Sequence, residues 1–382
     1  MKKTFSIIAL IVLIFIIGGI GAVVTDRILF PRLATIEPFS EYHFVKKATD
    51  NVMIIEKTEQ ITVREDDSVN TVSGQAATTV VNIVSTVESQ AKDIKSVTAA
   101  NKNGTGMVLT SDGIIATVSE AIIPENAMYT VFFYDGTFAE AELLGIDPYS
   151  DIALMSVDRQ DLTSIAMANS DDARPGKKLI AIGHAFGEYQ NRYASGLLSH
   201  LNKVYNLSGG IVSSSEKLEG VFEFDNDILT SYVGGPVVDY YGEMVGMVTK
   251  VGLNGTAQYV LIPTNDVRAT LEYYIAHRDF DRVIFGASYL PITKEYAVAK
   301  DLPRDRGAII YSPSGRQGLA VLAGSSAQIA DLRVGDIIIA IDEQEIDLDH
   351  SLSALIAPHR SGDTITLNIL RGEENINVEV TL

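Results

Sequence analysis

The sequence predicts a mainly β protein with two folded parts, preceded by one N-terminal transmembrane helix. Three observations carry that expectation. Short apolar runs broken by turn pairs such as Asp-Gly recur from about residue 78 to the C-terminus, with few stretches of helical period. The 382 residues are 46% hydrophobic, with 30 Gly against 11 Pro, and are enough for two or three domains with cores of their own. Lys2 and Lys3 precede an uncharged run from Phe5 to Val24, and roughly 20 apolar residues cross a bilayer as a helix.

The apolar run exceeds the core of a cleaved signal peptide, and Gly21-Ala22-Val23-Val24 is a poor small-x-small cleavage site. Residues 1–30 therefore read as a cytoplasmic stub and uncleaved anchor. The lysines favour an N-terminus inside, a vote that Arg27 and Arg32 weaken without reversing. All that follows then lies outside the cytoplasm, in the periplasm or beyond the cell. Residues 31–74 read as a stalk, with Pro31, Pro38, the acidic "REDDS" at 64–68 and the aromatics Phe39, Tyr42 and Phe44.

"TTVVNIVSTV", 78–87, opens the sheet region. "GTGMVLTSDGIIATV" is two strands around Ser111-Asp112-Gly113, and "MYTVFFYDGTFAEAELLGI" repeats the device around Asp135-Gly136. "KKLIAIGHAFG", "YASGLLSHL" and "EMVGMVTKVG" add strands. Closely spaced strands without helices between them imply sandwiches or barrels. A helix is expected from Thr264-Asn265-Asp266, an N-cap cluster after Pro263, with Val267, Leu271, Tyr274 and Ile275 on its inner face. This part spans 75–278. A second, 279–382, holds "SSAQIADLRVGDIIIAIDEQEI", a helix at Ser351–Ala357 and the closing strands "DTITLNILRG" and "NINVEVTL".

Composition excludes several functions. A net charge of −19 without a basic stripe repels nucleic acid. With no cysteine there is no disulfide, thiolate metal site or cysteine nucleophile. No His-Glu-x-x-His spacing occurs, and the lone His184 and His200 read as structural groups, so neither metal nor other cofactor is expected.

In order and spacing, "GTGMVLTSDGIIATVSEAI", "GIDPYSDIALMSV", "LIAIGHAFG", "FDNDILTSYVGGPVVDYYGEMVGMVTK" and "YVLIPTNDV" resemble the trypsin-like protease domain of the HtrA family, and the last 100 or so residues resemble the PDZ domain that follows it there. The resemblance covers about 75–382 and implies a trypsin-like double β-barrel followed by a PDZ domain. Such enzymes attack the peptide carbonyl with a serine, activated by a histidine that an aspartate orients, while backbone N–H groups bind the oxyanion. Carried over, the histidine position falls on Glu120, the aspartate on Asp151 and the serine on Val233, with Ser231 and Tyr232 in place of the Gly and Asn before it.

Valine has no hydroxyl, and Glu120 has nothing there to activate while facing the like charge of Asp151. Ser231 replaces a glycine whose freedom shapes the oxyanion hole. The resemblance therefore implies a catalytically degenerate member, a pseudoprotease. Glu120 and Asp151 lack a third ligand for a cation, and Ser119 or Ser231 as a substitute nucleophile lacks a base. The alternative is an active HtrA-type serine endopeptidase of protein quality control with an unorthodox or differently placed site.

PDZ domains take an extended peptide by strand addition and hold its terminal carboxylate on backbone N–H groups. By the resemblance, that loop falls on Ile284-Phe285-Gly286-Ala287, with the bending glycine kept. The implied partners are unfolded polypeptides or protein C-termini, bound and not cut, in a homotrimer or a mixed oligomer with active homologues. A purely structural envelope protein, without peptide affinity, is the third reading.

Overall fold

The apolar runs of 80–157 close on themselves. In the computed structural model, which describes residues 72, 74–87, 100–184, 191–225, 228–253 and 256–382 with isolated positions between 17 and 29, six strands form the first barrel. They are β1 (Val80–Val87), β2 (Ala100–Val108), β3 (Ile114–Val118), β4 (Met128–Phe132), β5 (Phe138–Ile146) and β6 (Ile152–Val157), joined in the order β1-β2-β3-β6-β5-β4. Closure pairs every strand on both sides and leaves no edge. Both expected hairpin turns form, with Gly113 (φ 107°) between β2 and β3 and Gly136 (φ 79°) between β4 and β5. Val81, Ile83, Ile115, Val131 and Met155 fill the centre without exposure.

The second barrel uses β7 (Ala166–Met167), β8 (Lys178–His184), β9 (Asn191–Asn206), β11 (Glu219–Asp225), β12 (Pro236–Val238), β13 (Glu243–Leu253) and β14 (Thr256–Pro263). Its ring runs β12-β8-β9-β11-β14-β13 and closes by pairing β12 with β13, while β7 adds in parallel on β13. Register shifts against β11, between Glu219 and Val221 and between Glu223 and Phe224, bend the long β9 round the barrel.

Helix α1 (Thr264–His277) begins where the sequence places it, yet differs in two respects. Val267, Leu271 and Tyr274 are buried as expected, but Ile275 is 48% exposed, and Thr270 and Tyr273 complete the inner face. The 3.6-residue period carries position 275 past the buried stripe. The polar cluster at the start ties the helix to the barrel instead of capping it: Thr264 Oγ1 donates to the Met244 carbonyl (2.8 Å), and Asn265 bonds Ser170 and Asn169.

The C-terminal part is a second sheet with its own core. Its elements are β15 (Ser288–Pro291), α2 (Lys294–Lys300), β16 (Ala308–Ile310), α3 (Ser326–Ile329), β17 (Ile337–Ile341), β18 (Gln344–Glu345), α4 (Leu352–Ile356), β19 (Thr364–Arg371) and β20 (Glu374–Thr381). Phe285, Tyr289, Ile338, Leu352, Ile365 and Ile369 pack its centre. Thr293 and Ser351 cap α2 and α4, accepting from the Tyr296 and Ala354 N–H groups. The sheet order is β15-β16-β17-β19-β20, and its edge is completed by β10 (Ser213–Ser214), which comes from the connection between β9 and β11.

The anchor over 1–30 and the stalk over 31–74, with Phe39, Tyr42, Phe44 and 64–68, lie almost wholly outside the described residues. Among the described residues no helix is long and apolar enough to cross a membrane.

One buried ion pair joins the start of the C-terminal part to the first barrel. Asp147, without exposure, accepts from Arg282 Nε (3.2 Å) and Nη2 (2.8 Å), from the hydroxyls of Ser150 and Thr270, and from the Tyr149 N–H. The guanidinium lies 3.7 Å from the Tyr273 ring centre and donates to the Ala357 carbonyl. Breaking such a pair leaves an uncompensated buried charge, at a cost of roughly 3–5 kcal/mol. Asp147→Ala should lower stability by about that much in urea unfolding, and Asp147→Ala/Arg282→Met should recover part of the loss.

Candidate functional site

The stretch "TSYVGGPVVD" lies where the two barrels meet. Thr230–Tyr232 makes a single 3₁₀ turn that brings the chain to Val233, which is 2% exposed. The N–H groups of this loop already have carbonyl partners: Tyr232 donates to Leu229 (3.0 Å), Val233 to Thr230 (3.1 Å), Gly234 to Val248 (2.8 Å) and Gly235 to Tyr232 (2.8 Å).

The paired glycines serve two close approaches, Gly234 to the first barrel and Gly235 chiefly to β8 of the second. Gly234 has φ 85°, and a Cβ on it would lie 2.1 Å from the Thr105 carbonyl oxygen and 2.3 Å from Thr117 Oγ1. A Cβ on Gly235 would lie 2.2 Å from the Ile182 carbonyl oxygen. Thr105, on β2 of the first barrel, holds the loop through its N–H and its hydroxyl. Its N–H donates to the Val233 carbonyl (3.2 Å), its hydroxyl donates to the Ser231 carbonyl (2.8 Å) and accepts from the His184 N–H (3.0 Å), and its carbonyl accepts from Thr117 Oγ1 (2.7 Å).

The two carboxylates sit on neighbouring turns. Glu120 lies in the 3₁₀ turn Ser119–Ala121 after β3, and Asp151 precedes β6 with φ 57°. The Ser119 N–H donates to the Asp151 carbonyl at 2.9 Å and joins the turns. Each acid has its own cation: Lys217 Nζ is 2.9 Å from Asp151 Oδ1, and Lys250 Nζ is 3.9 Å from Glu120 Oε2. Two lysines thus offset the repulsion expected between Glu120 and Asp151. Both are remote in sequence from the acids they serve, so no local pattern announces them.

This arrangement holds charge and shape. Val233 has no hydroxyl, and the buried Ser231 hydroxyl makes no hydrogen bond among the described residues. His184 ends β8 with its backbone N–H on Thr105, and His200 is exposed on β9. Among the described residues no group of three or more His, Asp or Glu side chains is placed to hold a metal ion.

In the C-terminal part, Phe285 and Ala287 are buried, Ile284 is 66% exposed, and Gly286 adopts φ 75°. Its glycine is required, because a Cβ there would lie 2.2 Å from Ser325 Cβ. The Leu322 and Ala327 N–H groups donate to the Gly286 and Phe285 carbonyls, both at 2.9 Å, and fix the loop. The Gly286 N–H itself donates to Glu216 Oε1 at 2.6 Å. Three residues on, the buried Glu219 accepts from the Tyr289 hydroxyl and from Ser353 Oγ. Burial pushes the Glu219 carboxyl up to about 7, against the pull of the Tyr289 and Ser353 hydroxyls. Neither Glu216 nor Glu219 stands out in the sequence.

Family comparisons place these observations. The trypsin-like peptidase domain model matches residues 103–247, and the PDZ domain model matches 299–382. The chain is 28% identical over 284 residues to the periplasmic pH-dependent serine endoprotease DegQ of Escherichia coli K12, covering 73% of this chain and 59% of that one. The match to the periplasmic serine endoprotease DegP of the same strain is also 28% over 284 residues, covering 73% and 56%. The chain therefore spans little more than half the length of the curated relatives it matches. Among solved structures, the HtrA-type protease AlgW with tripeptide superposes with a TM-score of 0.63 at 23% identity, over 81% of this chain and 95% of that one. The same protease with decapeptide gives 0.61 at 22%, over 81% and 96%. These two share the fold.

Two outcomes follow from the geometry. Gly234→Ala should destabilise the protein by more than about 2 kcal/mol in denaturant unfolding, because both the φ and the Thr105 contact forbid a side chain. Glu219 keeps its proton in the folded state up to a pH of about 7, whereas the unfolded carboxyl ionises near 4.5. Its contribution is thus complete below the unfolded value and lost as pH rises through the folded one. Glu219→Gln, which mimics the protonated acid, should match the natural protein at pH 4.5 and exceed its stability at pH 8 by on the order of 2–3 kcal/mol.

Proposed function

Because the chain belongs to the HtrA-type family, with a trypsin-like peptidase domain joined to a PDZ domain, we propose that it is a pseudoprotease that binds unfolded polypeptides or protein C-termini outside the cytoplasm without cutting them. The observation that carries the reading is Val233. By the family's pattern it holds the nucleophile position, yet it is buried and has no hydroxyl, and its N–H donates to the Thr230 carbonyl instead of pointing to an oxyanion. Two further features support it. Asp151, at the position of the orienting aspartate, faces Lys217 instead of an imidazole, and Glu120, at the position of the base, faces Lys250.

Binding needs none of the lost groups. Strand addition uses backbone, and capture of a carboxylate uses N–H groups, so the loop at Ile284, Phe285, Gly286 and Ala287 is the part of the molecule assigned to peptide recognition. The relatives' periplasmic location and the uncharged run over Phe5–Val24 support an envelope protein tethered by its N-terminus, with its folded domains outside. Its assembly as a homotrimer or with active homologues belongs to the same proposal.

The test is cleavage of casein by the full chain, with Glu120→His/Val233→Ser beside it. Neither should cut: the natural protein lacks a nucleophile, and the double variant still has Asp151 engaged by Lys217 and the 233 N–H turned inward. Turnover by the natural protein that survives Ser119→Ala and Ser231→Ala would establish an active endopeptidase with a site elsewhere and overturn the reading.

A further inference from the structure

The connection that follows β9 lies along the edge of the C-terminal sheet. β10 pairs antiparallel with β15, the strand directly after the loop at 284–287, with Ser213 opposite Tyr289 and Ser214 opposite Ser288. As the chain advances from 213 to 216, its partners step back towards 286, so it runs into the loop in the direction of a peptide whose C-terminus ends there. At that point Glu216 Oε1 accepts the Gly286 N–H at 2.6 Å, a charge-assisted bond. Ser213 and Ser215 are 1% and 2% exposed, and Glu219 beyond them reaches Tyr289 on β15 and Ser353 on α4.

We propose that Ser213–Glu216 is an internal ligand of the PDZ domain, a built-in strand whose glutamate carboxylate stands where the terminal carboxylate of a bound peptide would lie. The proposal rests on the peptide-binding reading and adds its regulation: a free C-terminus binds only by displacing this segment. The segment is made to be displaced. It supplies backbone pairing and one carboxylate, but serines at 213, 214 and 215 offer no apolar anchor. Ile284 and Leu322, beside the loop, remain 66% and 52% exposed. A competitor therefore needs a free carboxylate and an apolar last residue that covers them. Against it stands the effective concentration of a tethered strand, on the order of millimolar for a short connection.

Displacement has a consequence at the other site. Lys217, the next residue, holds Asp151, and the Leu218 N–H donates to the Tyr149 carbonyl at 2.7 Å. A peptide in the groove thus acts on the partner of Asp151.

The experiment compares the full chain with Glu216→Ala, and with Glu216→Gln as the variant of nearly unchanged size. One readout is hydrogen exchange of segment 283–290. The other is binding of fluorescent decapeptides ending in Val, Leu, Ile or Phe, with free and amidated termini. Glu216→Ala should exchange faster over 283–290 and bind the free-carboxylate peptides about tenfold tighter, with Glu216→Gln between and the amidated peptides weak throughout. Unchanged exchange in both variants would overturn the internal ligand, whatever the peptides do. Faster exchange with unchanged peptide affinity would overturn competition for the groove. Faster exchange with no peptide bound by any form would leave the internal ligand standing and remove the peptide-binding reading.

Discussion

The fold turns on one close approach, that of Gly234 to Thr105. The strands of the first barrel and of the second barrel's ring are already paired on both sides, so the two do not join by extending a sheet. They meet through loops instead, and a loop must satisfy its own backbone groups wherever it is buried. Thr105 does this for the junction, with its N–H and hydroxyl bonded to the Val233 and Ser231 carbonyls, while Gly234 supplies a positive φ and the missing side chain that let the loop lie against it. The Gly-Gly-Pro turn is thus needed for packing, independent of any chemistry at position 233. A buried valine fits the junction well. A hydroxyl at that place would require a partner of its own, as the unpartnered Ser231 hydroxyl in the same loop already does.

Charge follows the same logic at the edge of the seam. Glu120 and Asp151 are drawn together by the Ser119–Asp151 backbone bond, and each is offset by a lysine from the second barrel region. The lysine on Asp151 belongs to a segment in which successive side chains serve different masters. Glu216 binds the PDZ loop, Lys217 the first barrel, and Glu219 the PDZ strand and helix. Seven residues thereby connect both barrels to the C-terminal sheet, alongside the Asp147–Arg282 pair.

Much of the architecture was legible because it depends on local signals. The Asp-Gly turns at 112–113 and 135–136, the apolar runs of β1 and β3, and the short helix expected at Ser351–Ala357 each carry their reason within a few residues. The positions Glu120, Asp151 and Val233 could be named from motif order, and the bend at Gly286 from its loop. Their partners could not. Lys217, Lys250, Thr105 and Glu216 are ordinary residues in sequence, given a role only by pairings that bring remote segments together. The same limit explains α1, where Thr264 and Asn265 read as caps yet bond Met244, Ser170 and Asn169, contacts that no local rule supplies. It also explains β10, two serines that form a strand only because β15 offers an edge.

How strongly can the groove and the cleft speak to each other? Coupling is reciprocal, so a peptide that frees Lys217 from Asp151 must bind less readily while that bond holds, by the same factor. The factor is bounded by what the bond is worth. Both partners are about one-third exposed (32% and 33%), and ion pairs open to solvent contribute roughly 0–1 kcal/mol. Occupancy of the PDZ groove can therefore shift the state of Asp151 by no more than about fivefold through this lysine alone. That is too little for an on–off switch. Glu219 acts on the same segment in a pH-dependent way: its buried carboxyl, pushed up to about 7, loses Tyr289 and Ser353 if the segment withdraws but gains water, so its ionisation above that pH favours withdrawal. The segment is consequently held most firmly where Glu219 stays protonated inside the interface, and the lysine at its edge only reports the segment's position.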